Sequence, residues 1–295
     1  MKLSDAAKSI SIEVVRDGIF TSLGIIAHDT NNMLTFLYNE KFLPELTRKT
    51  NITCVITDEQ LANKLPSTFG IALSSDPRQA FYAFHNFLYQ ETDFYWKHFP
   101  TEISEDAKVH PTAHVASMDV RIGRRVIIEP HATILERTII QDDVIIRSGA
   151  VIGCQGYEFK HLGDTILPVA HAGGVLLHPR VEIQGNTVVD RAVFGGFTEV
   201  GEDVKMDNLV SVAHNVRIGR RSRVGALAAI AGSVTIGEDA WIGPSAVISH
   251  GLRIGDRAYV TLGAVVTKDV EPGHRVSGNF AIEHSKFLAF LKGIR

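Results

Sequence analysis

From Val200 to Val266 an aliphatic residue returns at every sixth position: Val200, Met206, Val212, Ile218, Val224, Ile230, Ile236, Ile242, Ile248, Ile254, Val260 and Val266. The residue four places after a rung is mostly small or branched (Val204, Val216, Ser222, Val234, Ala240, Ala246, Ala258, Ala264), and glycine often follows a rung directly (Gly201, Gly219, Gly237, Gly243, Gly255). A helix returns an apolar side chain every three or four residues and a strand every two. A period of six implies a short strand and a corner, repeated, with one large and one small side chain turned inward on each face. This is the hexapeptide pattern of a parallel β-helix, so the chain is expected to be mainly β.

An earlier ladder, Ile103, Val109 and Val115, slips by one residue and continues through Ile122, Ile128, Ile134, Ile140, Ile146 and Ile152. The repeat stops between Gly153 and Val175, resumes at Leu177, Ile183 and Val189, and loses one residue near Gly195-Gly196. Such excursions must bulge outward if the coils on either side are to stay stacked. Loops that leave a repetitive scaffold often carry function. The 153–176 loop is therefore a candidate site, with a plain surface excursion as the alternative.

Residues 1–100 lack the six-period. Segments 10–15, 33–37 and 51–56 read as strands, and 40–49 and 76–89 carry apolar residues at helical spacing. Asp76-Pro77 supplies a cap and a first-turn proline for the second helix. The expected organisation is a small α/β domain over 1–100, a β-helix over 101–278 that includes the 153–176 loop, and a C-terminal segment over 279–295. Within the last, 280–291 reads as one short helix covering the end of the coil stack.

Composition narrows the function classes. The chain has 295 residues, 45% of them hydrophobic, enough for one large or two modest cores. A net charge of −3 gives no reason to expect nucleic-acid binding or a polybasic membrane surface. No stretch approaches the roughly 20 apolar residues needed to cross a bilayer, and the start shows no signal-peptide pattern. Two cysteines, Cys54 and Cys154, are too few for a disulfide framework or a zinc cluster, so no metal is expected. These features together point to a soluble cytoplasmic protein.

Three strands make one triangular coil of such a helix, so residues eighteen apart stack on neighbouring coils. His214, Gly232 and His250 have that spacing. The two histidines should stand about 10 Å apart along the axis, two strand spacings. An imidazole over a glycine whose backbone can be approached closely suits acyl transfer, in which a base takes a proton from the nucleophile and an N–H stabilises the oxyanion. A polar residue at an exposed corner without any role is the alternative.

The stretch Val181–Gly219, VEIQGNTVVDRAVFGGFTEVGEDVKMDNLVSVAHNVRIG, followed by IAGSVTIG, resembles the UDP-3-O-(3-hydroxyacyl)glucosamine N-acyltransferases, which read VEIGANTTIDRGA, then IDNLVQIAHNV, then AGS. GYEF at 156–159 lies beside that family's GFGF or GFGY loop. Thr35-Phe36-x-x-Asn39-x-Lys41-Phe42 lies beside its ISF-x-x-N-x-K-Y segment. The resemblance covers nearly the whole chain and implies a left-handed β-helix with a small N-terminal nucleotide-recognition domain, typically assembled as a homotrimer. It implies His214 as general base, the Gly232 N–H as oxyanion donor and Asp207 as the group that orients the histidine. Asp207 precedes a different corner, so that contact would cross a subunit boundary. The resemblance further implies that Asn208, Tyr157, Phe159 and His250 contact substrate, and that Phe36 and Phe42 sandwich a pyrimidine base whose edge or phosphates Asn39 meets. Phe36 and Phe42 could equally be core.

Three departures limit the transfer. The family carries Gly-His where this chain has His250-Gly251, its helical tail is longer, and its N-terminal domain starts earlier. The shorter tail favours acyl-CoA over acyl carrier protein as donor, with Lys268 and Arg275 among the basic residues that could meet the phosphates of coenzyme A, and the three departures together favour a paralogue over the lipid A enzyme itself. The leading expectation is an N-acyltransferase, acetyl from acetyl-CoA, acting on a UDP- or dTDP-linked amino sugar destined for surface polysaccharide. The alternatives are 3-hydroxyacyl transfer in lipid A assembly and, in another class, a non-catalytic scaffold, since fold does not dictate function. A thioester is already activated and an imidazole titrates near ~6.5, so the chemistry asks for no metal.

Overall fold

The computed structural model describes residues 1–10, 12–278, 281 and 283–293. The chain divides into two units. The first comprises Met1–Pro100, Gln155–Gly174 and Arg191–Phe197, and the second Thr101–Cys154, Val175–Asp190 and Thr198–Arg295. Both excursions from the ladder are thus part of the first unit.

The first unit is built on five strands, β1 (Glu13–Arg16), β2 (Ser22–Leu23), β3 (Met33–Leu37), β4 (Ile52–Thr57) and β5 (Gly70–Leu73), in the order β1-β5-β4-β3-β2. β1 runs antiparallel to β5 and the other pairings are parallel. β3 is buried along its whole length, as a parallel strand covered on both faces should be. Helix Pro77–Glu91 starts where the sequence indicates, with the Asp76 carboxylate accepting from Gln79 N at 2.9 Å, and it buries Phe81, Phe84, His85 and Leu88. Segment 40–49 is a 3-10 turn, Glu40–Phe42, leading into helix Leu43–Arg48.

The start of the chain differs from the expected strand over 10–15. Leu3–Ile10 is a helix, and the strand begins only at Glu13. Leu3, Ala6 and Ala7 are buried at helical spacing, but two small alanines leave a weak apolar signal. The excursion at 153–176 contains its own antiparallel hairpin, Phe159–Leu162 with Thr165–Pro168.

The second unit is a parallel β-helix. Its strands, mostly of two residues, line up in three parallel sheets of nine, eight and eight strands. Neighbours along a sheet are eighteen residues apart in the regular region, as in Arg217, Thr235 and Arg253. Every rung from Val200 to Val266 is buried, with at most 6% of its surface exposed. The one polar residue among the small inward positions, Ser222, is satisfied locally. Its hydroxyl donates to Gly237 O at 2.7 Å and accepts from Ala240 N at 2.9 Å. Each corner carries a residue with φ near +60°, in step with the repeat: Asp203, Leu209, Asn215, Arg221, Leu227, Ser233, Asp239 and Ser245. A left-handed residue turns the chain within one peptide, which short strands on three faces require.

The C-terminal helix spans His284–Gly293, whereas the sequence suggests 280–291; Phe280 lies outside the described residues. It does not cover the coil stack of its own chain. Phe287, Leu288, Phe290 and Leu291 are all exposed, because among the described residues no apolar surface is laid against them.

Candidate active site

His214 lies on the corner that follows strand Ser211–Val212, and Gly232 lies on the next coil after Ala229–Ile230. The two coils are locked together by Ser233 N donating to His214 O at 2.9 Å. A Cβ on Gly232 would lie 2.5 Å from His214 Cε1 and 2.6 Å from Nε2, so the imidazole occupies the space that any side chain at 232 would need. The Gly232 N–H carries no hydrogen bond among the described residues. His250, one coil further, closes over the same gap. Its ring centroid is 6.2 Å from that of His214, with the rings inclined by 51°. That is well short of the ~10 Å axial separation, because the missing side chain between them lets the rings lean together. The displaced His250-Gly251 pair therefore still puts an imidazole in this column, and Gly251 takes the positive-φ corner position at +73°.

The imidazole is oriented by its sequence neighbour. Asn215 Oδ1 accepts from His214 Nδ1 at 3.1 Å, which leaves the lone pair on Nε2, the nitrogen over Gly232. Asn215 also occupies the left-handed corner, φ +60°, a conformation asparagine tolerates, and its N–H donates to Thr198 Oγ1 at 2.9 Å. One asparagine thus sets both the corner and the tautomer. Beneath His214, strand Val188–Asp190 pairs with Ser211–Val212 on one side and with Val151–Cys154 on the other. The Cys154 thiol donates to Asp190 Oδ1 at 3.1 Å. Burial raises the Asp190 carboxyl above its ordinary range, while the thiol hydrogen bond and the charge of His214 pull it back.

Asp207 and Asn208 occupy another corner, after strand Lys205–Met206. Asp207 Oδ1 accepts from Asn208 N at 2.8 Å and from Asn208 Nδ2 at 2.9 Å, and Asn208 Oδ1 accepts from Gly185 N at 3.0 Å. Asn208 thereby ties the turn to the preceding coil, and Asp207 holds the Asn208 amide in place.

In the first unit Phe36 is only 9% exposed and packs against Phe81 at 4.9 Å and Tyr82 at 5.7 Å. Tyr38, 48% exposed, stands between Phe36 and Phe42, at 5.8 and 5.6 Å from their rings. Tyr38 belongs to no motif in the sequence; alternation along β3 puts it on the face of Phe36 and past the strand end. Asn39 caps the following 3-10 turn, accepting from Lys41 N at 3.0 Å. Lys160 from the hairpin lies 5.3 Å from the Tyr82 ring and pairs with Glu158. Tyr157 is 88% exposed, with Phe159 edge-on to it at 4.9 Å.

Lys268 lines a cavity of about 180 Å³ with Ala264, Val266 and Val270. Arg275 lies 4.2 Å from the Tyr259 ring, at one end of a stack that continues through Trp241 to Arg223. Among the described residues no group of three or more His, Cys, Asp or Glu is placed to hold a metal ion, and no helix is long and apolar enough to cross a membrane.

Comparison with known proteins adds to this geometry. The bacterial transferase hexapeptide (six repeats) family matches residues 119–154 and 233–268. The UDP-3-O-acylglucosamine N-acyltransferase of Helicobacter pylori (strain ATCC 700392 / 26695) is 30% identical over 252 residues, covering 76% of this chain and 72% of that protein. The protein of the same name from Coxiella burnetii (strain Dugway 5J108-111) is 29% identical over 245 residues, covering 74% and 70%. Among solved structures, the UDP-N-acetylglucosamine acyltransferase from Campylobacter jejuni superposes with a TM-score of 0.51 at 19% identity, over 66% of this chain and 81% of that one. What is shared with the last is the fold, a left-handed parallel β-helix.

Proposed function

Because the chain belongs to the UDP-3-O-acylglucosamine N-acyltransferase family, we propose that it moves an acyl group from a thioester to the amine of a nucleotide-linked amino sugar. The observation that carries this reading is the His214 ring seated in the space of the absent Gly232 side chain, its Nε2 2.6 Å from where a Cβ would be. In the reaction Nε2 takes a proton from the sugar amine as the nitrogen attacks the thioester carbonyl. The C–N bond forms, and the oxyanion is held by the Gly232 N–H. The C–S bond then breaks, and the leaving thiolate takes the proton back from the imidazolium. Imidazole and peptide N–H on consecutive coils provide both groups within one corner.

The name carried by the relatives supports UDP-3-O-acylglucosamine as acceptor, the lipid A reading, over other amino sugars. For the donor, acyl-CoA is the first reading, with Lys268 and Arg275 as phosphate contacts, and acyl carrier protein the second. The base of the nucleotide is assigned to the aromatic group around Tyr38 and Phe42, with Phe36 supporting Tyr38 from the core. Asn208, His250, Tyr157 and Phe159 are assigned to the acceptor. A homotrimer is part of the reading, with Asp207 meeting His214 of a neighbouring subunit.

The test is thiol release from acetyl-CoA and from 3-hydroxyacyl-CoA, alongside product formation from 3-hydroxyacyl carrier protein. Acceptors are UDP-3-O-acylglucosamine and a panel of UDP- and dTDP-amino sugars. His214→Ala is expected to lower turnover by ~10²–10⁴-fold with acceptor binding retained. Near-normal turnover would remove the base assignment, and no transfer with any pair would leave the scaffold reading.

A further inference from the structure

The corner column does not begin at His214. Asp190 precedes it on the neighbouring coil: Val188 and Val189 pair with Ser211 and Val212, so the strand's next residue falls level with Ala213, one residue before His214, and its carboxyl feels the charge of His214. On its other side Asp190 is the register partner of Cys154, whose thiol hydrogen-bonds its carboxylate. The order along this edge is therefore thiol, carboxylate, imidazole, bare glycine, imidazole.

We propose that Asp190 is the positioning carboxylate of this site: it balances the charge that His214 acquires, from within the same chain, and Cys154 holds it in place. This rests on His214 being the base. When Nε2 takes the amine proton the ring becomes cationic. Asn215, a neutral amide on Nδ1, orients the ring but cannot neutralise it. Asp190 supplies the missing charge from a half-buried position, where the interaction is screened less than in water. No proton passes to Asp190, which stays ionised throughout. Of the groups around it, the Cys154 thiol on one neighbouring strand bonds its carboxylate and the charge of His214, beyond the other, acts on it, with His250 next along the column. Asp207, the carboxylate that the resemblance singles out, is engaged with its own turn at a different corner of this chain and would reach His214 only from a neighbouring subunit, so Asp190 is the carboxylate that the chain's own coils supply. Asp190 was legible only as the acidic residue of VVDRA. The excursions at 155–174 and 191–197 break the six-residue count on both sides of it, so spacing could not align it with His214.

The experiment is a pH profile of kcat and KM on the full-length protein, for the wild type and for Asp190→Asn, Asp190→Glu, Cys154→Ala and His214→Ala. A carboxylate that serves a catalytic imidazole can be worth up to about 10⁴-fold, and from a neighbouring coil roughly 10²-fold is expected for Asp190→Asn. KM for the acceptor should stay near the wild-type value, and the acidic limb should move to lower pH, because the ring no longer has a carboxylate to stabilise its charge. Asp190→Glu should regain part of the rate. Cys154→Ala should move the limb the same way by less. If Asp190→Asn keeps the wild-type rate and limb while His214→Ala is inactive, the Asp190 proposal is wrong and the base assignment survives. If His214→Ala remains active, or the wild type transfers nothing, both fall. If Asp190→Asn does not fold by circular dichroism, Cys154→Ala decides, and an unmoved limb overturns the proposal.

Discussion

Gly232 is where a single hydrogen atom in place of a methyl group decides the chemistry. A Cβ there would lie 2.5 Å from Cε1 and 2.6 Å from Nε2 of the His214 ring, closer than side-chain contacts tolerate. Gly232→Ala should therefore push the ring off the column while leaving the buried rungs untouched. A displacement of about 1 Å at a reacting group can cost on the order of 10²-fold in rate, and that is the expected fall in turnover. The melting temperature should stay close to the wild-type value. A variant with full activity would mean the ring works elsewhere. At this scale the sequence was informative where spacing was unbroken. His214, Gly232 and His250 share one ladder and fall together, as counted. Asp190 and Tyr38 were missed, the first because two excursions interrupt its count, the second because a residue past a strand end carries no periodic signal.

The excursions are held as elements, by polar contacts. In the first unit His85, on helix Pro77–Glu91, has Nε2 2.7 Å from Ala170 O and Nδ1 2.7 Å from the Tyr95 hydroxyl. A carbonyl can only accept, so Nε2 carries the proton and Nδ1 accepts from Tyr95. The adjacent Asn86 donates to Pro168 O and accepts from Ala170 N, both at 2.9 Å. Burial lowers the His85 pKa to about 4. An unfolded histidine titrates near ~6.5, so the unfolded chain binds the proton more readily and stability is lost as pH falls from about 6.5 towards 4. The loss amounts to at most about 3 kcal/mol. Urea unfolding at pH 7.5, 6 and 5 should show it, and His85→Gln should flatten the dependence; an unchanged slope would exclude His85 as its source. In the second unit one edge carries arginines and acids in eighteen-residue register: Arg124 to Asp142, Arg125 to Asp143, Arg220 to Glu238 and Arg221 to Asp239. These pairs are exposed, so water and salt screen them and they add little to stability. Their consistent effect is to keep that edge polar.

For the molecule as a whole, another part of the second unit has the opposite character. Val247 and Val265 are register partners and both are exposed, with Leu262, 64% exposed, and Leu227 on a neighbouring corner. Exposed apolar side chains of this kind suit the subunit contact of the proposed trimer. Sedimentation should give three copies for the wild type, and Val265→Asp should shift the population towards monomer with the fold intact by circular dichroism. A trimer that survives the substitution would move the contact to another face, and a monomeric wild type would remove the trimer, and with it the cross-subunit role of Asp207.

The sequence alone determined the β-helix, because burial in a stacked coil is a local rule repeated every six residues and needs no knowledge of distant contacts. It also determined which histidine stacks on which glycine, for the same reason. Only the tertiary structure decided where the interrupted segments go. Residues 155–174 and 191–197 join the N-terminal unit through buried aromatic and polar contacts that have no period. It likewise decided which acid feels the charge of His214, since strand pairing across an excursion is set by coil stacking and not by distance along the chain.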